Sequence, residues 1–229
     1  MASRGAGDLL HLFLYAPEEG SGFNIPVPGR ASLQKQIFLV STTIPGIGTR
    51  FEGGRYGPFS GELARAEDDA VSGGTVERRG TGGRGEMLLT GAGMAAGKDR
   101  WDGLGETDRI IVTNIKDLMN DMSYIESISS IYTSYTEMAG SAEDLELYKE
   151  HRVAAAVSLF IRKKISVSRG SEIAGMYQGD FTDMLYENKI YAFARKGHFQ
   201  RCIREFREAG GRLARAVEEI GRYECPKAC

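Results

Sequence analysis

Residues 50–90 leave this chain the fewest folding options. Phe59, Leu63, Ala66 and Ala70 recur at i, i+4, i+7 and i+11, a spacing that places apolar side chains on one face of a helix. Gly73 and Gly74 close that helix. Thr75 to Arg79 and Glu86 to Leu89 then read as strands, joined by Gly80-Thr81-Gly82-Gly83-Arg84-Gly85. A helix feeding a glycine-tipped hairpin is the layout of a winged helix. There the helix enters the major groove and the wing rides on the phosphates. Gly80, Gly82 and Gly85 also spell G-x-G-x-x-G. A dinucleotide fingerprint must open a helix, so that amide groups and the helix dipole meet the pyrophosphate. This loop opens a strand, so no cofactor is expected. Arg78, Arg79 and Arg84 suit a wing tip, where glycine lets the backbone approach a phosphate.

The elements before this stretch complete the order. Asp8 is placed to cap a first, buried helix carrying Leu9, Leu10, Leu12, Phe13, Leu14 and Tyr15. A loop with Gly20, Gly22, Pro26 and Pro28 follows. Arg30 to Val40 reads as a second helix with Leu33, Ile37, Phe38 and Val40 inside, ended by Pro45 to Gly48.

Leu33-Gln34-Lys35-Gln36-Ile37-Phe38-Leu39, then Phe51, Tyr56-Gly57-Pro58-Phe59-Ser60, Leu63 and Leu88-Leu89-Thr90-Gly91 resemble the YwgA-like group of small prokaryotic proteins. The resemblance covers residues 8–140. It implies winged-helix DNA binding and a helical pair after the wing. Ser32 stands where that group has an arginine, and Arg30 lies two places earlier. On this reading Arg50, Arg55, Tyr56, Ser60, Arg65, Arg78, Arg79 and Arg84 face double-stranded DNA. Gly61, Ala64, Arg65 and Asp68 point outward from the third helix, and Glu67, Asp68 and Asp69 crowd its second half.

The chain has 229 residues, 41% of them hydrophobic, room for one large or two small domains. A net charge of −2 hides an asymmetry. Residues 101–150 carry 3 basic and 11 acidic side chains, and residues 151–229 carry 15 basic and 9 acidic. An acidic middle and a basic carboxyl-terminal module follow, the latter being the local patch that phosphate binding needs. Within the middle, Ile110, Ile111, Ile115, Leu118 and Met122 form one helical stripe. Tyr124, Ile125, Ile128, Ile131 and Tyr132 form another, and a break is expected at 136–141.

Residues 143–165 read as one helix with Ala154, Val157, Leu159, Phe160 and Ile161 inward. Residues 165–176 and 181–190 then have the spacing of a helix-turn-helix around Ile173, Ala174, Phe181, Met184 and Leu185. Ser166, Glu172, Ala174, Gly175, Phe181, Leu185 and Ile190 match a family of short archaeal and bacterial proteins regarded as antitoxin-like, which this segment (150–192) resembles. Lys163, Lys164, Ser168 and Arg169 are its candidate phosphate contacts. Phe199, Ile203, Phe206, Gly210, Leu213, Val217 and Ile220 alternate steps of four and three, a heptad seam. It suggests a homodimer interface or packing on the chain's own body, with Gly210-Gly211 kinking or splitting the helix.

Metallopeptidase, nucleophile-elbow, P-loop and paired C-x-x-C motifs are absent. His11 reads as a satisfied core residue. Asp144, Glu146 and Lys149 imitate a nuclease triad within two turns of one helix, too close for a metal cluster. No enzyme activity and no metal are expected. Cys202, Cys225 and Cys229 are too sparse and uneven for a secreted disulfide framework. No apolar run reaches the ~20 residues of a membrane span, and a secretory signal pattern is lacking, so a cytoplasmic location is expected. The fold expected is mainly α with a small β-hairpin wing: a winged-helix domain at 1–100, a helical connector at 101–149 and a helix-turn-helix module at 150–229. The function expected is a dimeric DNA-binding transcriptional regulator. The alternative is an antitoxin or adaptor that binds a protein partner, through the acidic segment 101–150.

Overall fold

A computed structural model describes residues 5–80, 85–140, 142–191 and 196–223. The chain is mainly helical with a small antiparallel sheet. It divides into two compact units, one built on residues 1–121 with 138–142, the other on 122–137 and 143–223. The connector expected at 101–149 is therefore not a separate body; its helices are shared between the units.

The first unit contains α1 (Ala6–Tyr15), β1 (Val27–Pro28), α2 (Gly29–Thr43), β2 (Glu52–Gly54), β3 (Gly57–Phe59), α3 (Gly61–Ser72), β4 (Val76–Arg79), β5 (Glu86–Leu89), α4 (Gly91–Asp102) and α5 (Glu106–Asn120). β5 lies between β1 and β4 and runs antiparallel to both, with Met87 opposite Val27 on one side and Arg78 on the other. That order and pairing are those of a winged helix, with β2–β3 as an added two-stranded hairpin just before α3. Leu9, Leu10, Leu12, Phe13 and Leu14 of α1 are wholly buried, each contributing roughly 1.5–3 kcal/mol. Asp8 does not cap α1, which starts at Ala6 behind Gly5. It lies in the first turn and pairs with Arg100 at 2.6 Å.

α5 departs from the expected stripe. Ile110 is 54% exposed, while Val112, Lys116 and Met119 point inward. The Lys116 ammonium donates to the carbonyls of Phe13 (3.4 Å), Leu14 (3.0 Å) and Ala16 (2.7 Å). These are carbonyls at the end of α1, where a helix leaves acceptors unmatched and carries partial negative charge. Burial pushes the Lys116 pKa down to about 7.

The second unit contains α6 (Tyr124–Ser134), α7 (Leu145–Ile161), α8 (Val167–Ala174), α9 (Gln178–Glu187), α10 (Lys196–Ala209) and α11 (Arg212–Glu219), with 3-10 turns at Thr136–Met138 and Ile220–Arg222. Ser166 caps α8 through the Arg169 amide. Gly175 ends α8 at φ +66°, and the Met176 amide reaches back to the Ser171 carbonyl at 3.0 Å, the glycine-based helix stop. α9 follows at once, so the helix-turn-helix spacing is realised. Phe160 meets Phe181 (6.4 Å) and Phe199 (5.9 Å) edge to face.

The carboxyl-terminal seam is corrected. It is two helices, split at Gly210, which takes φ +57°. Phe199, Ile203, Phe206 and Ile220 are buried within the chain, and Leu213 and Val217 pack against the same core. The heptad spacing reports one apolar face, and the chain's own helices cover it. Four of the six residues expected to form a dimer interface are thus buried within the chain, and Leu213 and Val217 are half-buried.

Candidate nucleic-acid interface

The site is built from the polar run inside α2. Gln34, Lys35 and Gln36 are all buried, and burying three polar side chains demands three sets of partners. Gln34 clamps residue 60: the Ser60 amide donates to its Oε1 at 2.9 Å, and its Nε2 donates to the Ser60 carbonyl at 3.4 Å. Lys35 Nζ donates to the Tyr56 carbonyl at 2.8 Å, fixing the turn of the β2–β3 hairpin. Gln36 donates to Asn120 at 2.8 Å, tying α2 to α5. The residues that carry the YwgA-like resemblance thus hold the hairpin and the start of α3 in place.

Ser60 is the N-cap of α3, its hydroxyl accepting from the Leu63 amide at 3.3 Å, and it is wholly buried. It supports the helix and is removed from the expected DNA contacts. Phe59 belongs to β3, opposite Glu52, and is 37% exposed, so it does not share the inner face of α3. That face is Leu63, Ala64, Glu67 and Ala70; Ala64 points inward, contrary to expectation, while Gly61, Arg65 and Asp68 are exposed.

Glu67 is the residue that sequence reasoning misplaced most. Its side chain is fully buried, with Arg30 Nε at 2.9 Å and Arg78 Nη2 at 2.6 Å. Burial pushes its carboxyl pKa up, and the two guanidinium groups oppose the shift. Asp68 takes the same two arginines, Arg78 at 2.8 Å and Arg30 at 3.3 Å, and Arg78 foremost holds its carboxyl below the usual range. Arg78 is thereby bound to α3 and is corrected from wing contact to structural ion pair. Arg30 fills that role too, although the resemblance places its arginine elsewhere.

The other candidates separate clearly. Thr49 donates to Glu62 at 2.5 Å and lies 3.1 Å from the Ser60 hydroxyl, which tethers the neighbouring Arg50 beside the first turn of α3. Arg50 and Arg65 are exposed, and neither forms an ion pair among the described residues. Arg55 is exposed at the hairpin turn, its guanidinium 5.4 Å from the Tyr56 ring centre. Tyr56 is half-buried. Arg79 is exposed and pairs with Glu77. Arg84 lies outside the described residues.

In the second unit Ser168 and Lys163 are exposed, and Lys163 sits 5.3 Å from the Phe199 ring centre. Lys164 is half-buried. Arg169 is drawn inward: it bonds the Ser130 carbonyl (3.0 Å), the Ser134 hydroxyl (2.5 Å) and Glu172 (2.7 Å). It ties α8 to α6 and is corrected from phosphate contact to internal brace. The exposed side of α9 carries Asp180, Asp183, Tyr186 and Glu187 and no basic residue. Glu126 and Asp144 of the acidic segment are buried: Glu126 closes a capping box with Ser123 and pairs with Arg162, and Asp144 accepts from Tyr124 and Tyr132.

The imitation triad dissolves in the same way, since Glu146 pairs with Lys149 at the surface while Asp144 serves the tyrosines. Both His11 ring nitrogens have partners, the Gly7 carbonyl at 2.8 Å and the Thr75 hydroxyl at 2.9 Å. Cys202 is buried, and Cys225 and Cys229 lie outside the described residues. Among the described residues no cluster of three His, Cys, Asp or Glu could hold a metal, and no helix is long and apolar enough to cross a membrane.

No curated protein and no solved structure matches the chain. The model of an uncharacterised protein family (UPF0175) matches residues 136–205, a span that contains α7, α8, α9 and most of α10.

Proposed function

We propose that the chain is a DNA-binding regulator that engages duplex DNA through its first unit. One observation carries the reading: two carboxylates in the second half of α3, Glu67 and Asp68, are tied to arginines, and Asp69 and Glu62 are left exposed. Glu67 is inside between two arginines, Asp68 shares them, and Glu62 is bonded to Thr49. Arg50 and Arg65 stand exposed around the first turns of α3, with Arg55 on the adjoining hairpin. The helix N-terminus adds its own attraction for anions. In this reading Arg50, Arg55 and Arg65 meet phosphates, and Arg79 contributes from the base of the wing.

The test is fluorescence anisotropy on mixed-sequence duplexes at several salt concentrations. Removing one phosphate-binding side chain should lower the log–log salt slope by about 0.9. Arg50→Ala with Arg65→Ala should therefore lower it by about twice that, on every duplex equally. Weakening confined to one sequence would place these side chains at base edges. No binding at low salt, or a slope unchanged in the double variant, would overturn the reading.

A further inference from the structure

α9 stands at the second position of a helix-turn-helix, yet its outward face is the reverse of a groove reader. Tyr177, at the head of the helix, is 85% exposed, and Tyr186, one face over, is 40% exposed. Tyr191 extends the aromatic surface beyond the helix, its ring 5.8 Å from that of Tyr186. Between the tyrosines lie Asp180, Asp183 and Glu187, all exposed, and none of the three forms an ion pair among the described residues. The inward side is fully engaged: Phe181 and Leu185 are wholly buried. The helix is thus held in position by its core while aromatic rings and carboxylates are left to water. Three carboxylates laid against phosphates would repel, so a nucleic acid does not fit this face.

We propose that the outward face of α9 is a docking surface for an arginine-rich segment of another protein. Charge complementarity sets the sign of the partner, and the tyrosines select arginine over lysine. A guanidinium pairs with a carboxylate through two parallel hydrogen bonds and also stacks on an aromatic ring. A lysine ammonium does neither as well. The surface lies in the second unit and does not depend on DNA binding by the first.

The experiment uses the full chain and fluorescein-labelled nona-arginine and nona-lysine peptides, followed by anisotropy. The arginine peptide should bind more tightly than the lysine peptide. Asp180→Asn, Asp183→Asn and Glu187→Gln together should weaken it about tenfold. Tyr177→Ala with Tyr186→Ala should weaken it about threefold and bring the two peptides closer in affinity. All five side chains are exposed, so far-ultraviolet circular dichroism should be unchanged in both variants. Arginine-peptide binding that neither variant alters would overturn the proposal. So would a carboxylate variant that gains duplex binding while its peptide binding is unchanged. A second copy of the chain is a further outcome: its α10 exposes Arg201, Arg204 and Arg207. Self-association abolished in the carboxylate variant would replace the foreign partner with that copy and overturn the proposal as stated.

Discussion

α3 and α9, one in each unit, are held in place in different ways. α3 is fixed by polar bonds: Gln34 clamps Ser60, and Arg30 and Arg78 enclose Glu67. α9 is fixed by Phe181 and Leu185 in an apolar core that Phe160 and Phe199 complete. Two acidic residues of α3, Glu67 and Asp68, are paired with arginines, whereas Asp180, Asp183 and Glu187 of α9 stay in water. A polar framework specifies geometry because each bond has one partner, while apolar packing fixes position and leaves the outer face free to vary.

The largest effect should come from the apolar side of this comparison. Phe206→Glu puts a carboxylate into the core that supports α9, and should cost about 4 kcal/mol or more. Chemical denaturation would measure the loss, and sedimentation equilibrium should show the same mass as the parent. A change of mass instead would restore an intermolecular role for that helix. Next comes the polar side. Arg30→Ala leaves buried Glu67 with one arginine and should cost about 2–4 kcal/mol, allowing for partial exposure of Arg30. Adding Glu67→Gln should recover part of that loss, because an amide needs no countercharge. No recovery would mean that Arg30 acts through packing alone.

A pH experiment sharpens the picture of the first unit. Lys116 titrates near 7 in the folded chain and at an ordinary lysine value when unfolded. Between those values the unfolded chain holds a proton that the folded chain has released. This group therefore makes stability rise with pH across that window, by at most about 1.4 kcal/mol per pH unit. Lys116→Met should remove that slope, read from urea unfolding at several pH values. Parallel curves for the two proteins would show that the folded lysine keeps its proton throughout. The smallest effect belongs to α9: Asp183→Asn should change stability by less than about 0.5 kcal/mol. A larger loss would reveal a structural role for that carboxylate and weaken the contrast with α3.

The order of elements was readable because glycines and alternation mark local events. Gly73-Gly74 ends α3, the two strands flank a glycine loop, and Gly175 stops α8 where expected. The break at Gly210 was readable for the same reason. What could not be read was burial that depends on a distant partner. Hydropathy spacing sends Glu67, Lys116 and Gln34 to the surface, yet each is buried because an arginine, a row of carbonyls or a serine backbone elsewhere in the chain receives it. Phe59 misleads because its spacing to Leu63 is helical, while Ser60 caps the helix one residue later and leaves Phe59 in β3. The seam misleads differently: spacing reveals an apolar face and is silent on what covers it.

The bond between Lys116 and the end of α1 also has a consequence in time. The carbonyls it satisfies lie 100 to 103 residues earlier in the chain. A ribosome adding ~10 residues per second takes about 10 seconds to make that interval. Throughout it, the end of the most apolar helix of the protein lacks the donor that finally satisfies these carbonyls. A long-range closure of this kind is slow to form, so the end of α1 is the last part of that helix to be fixed.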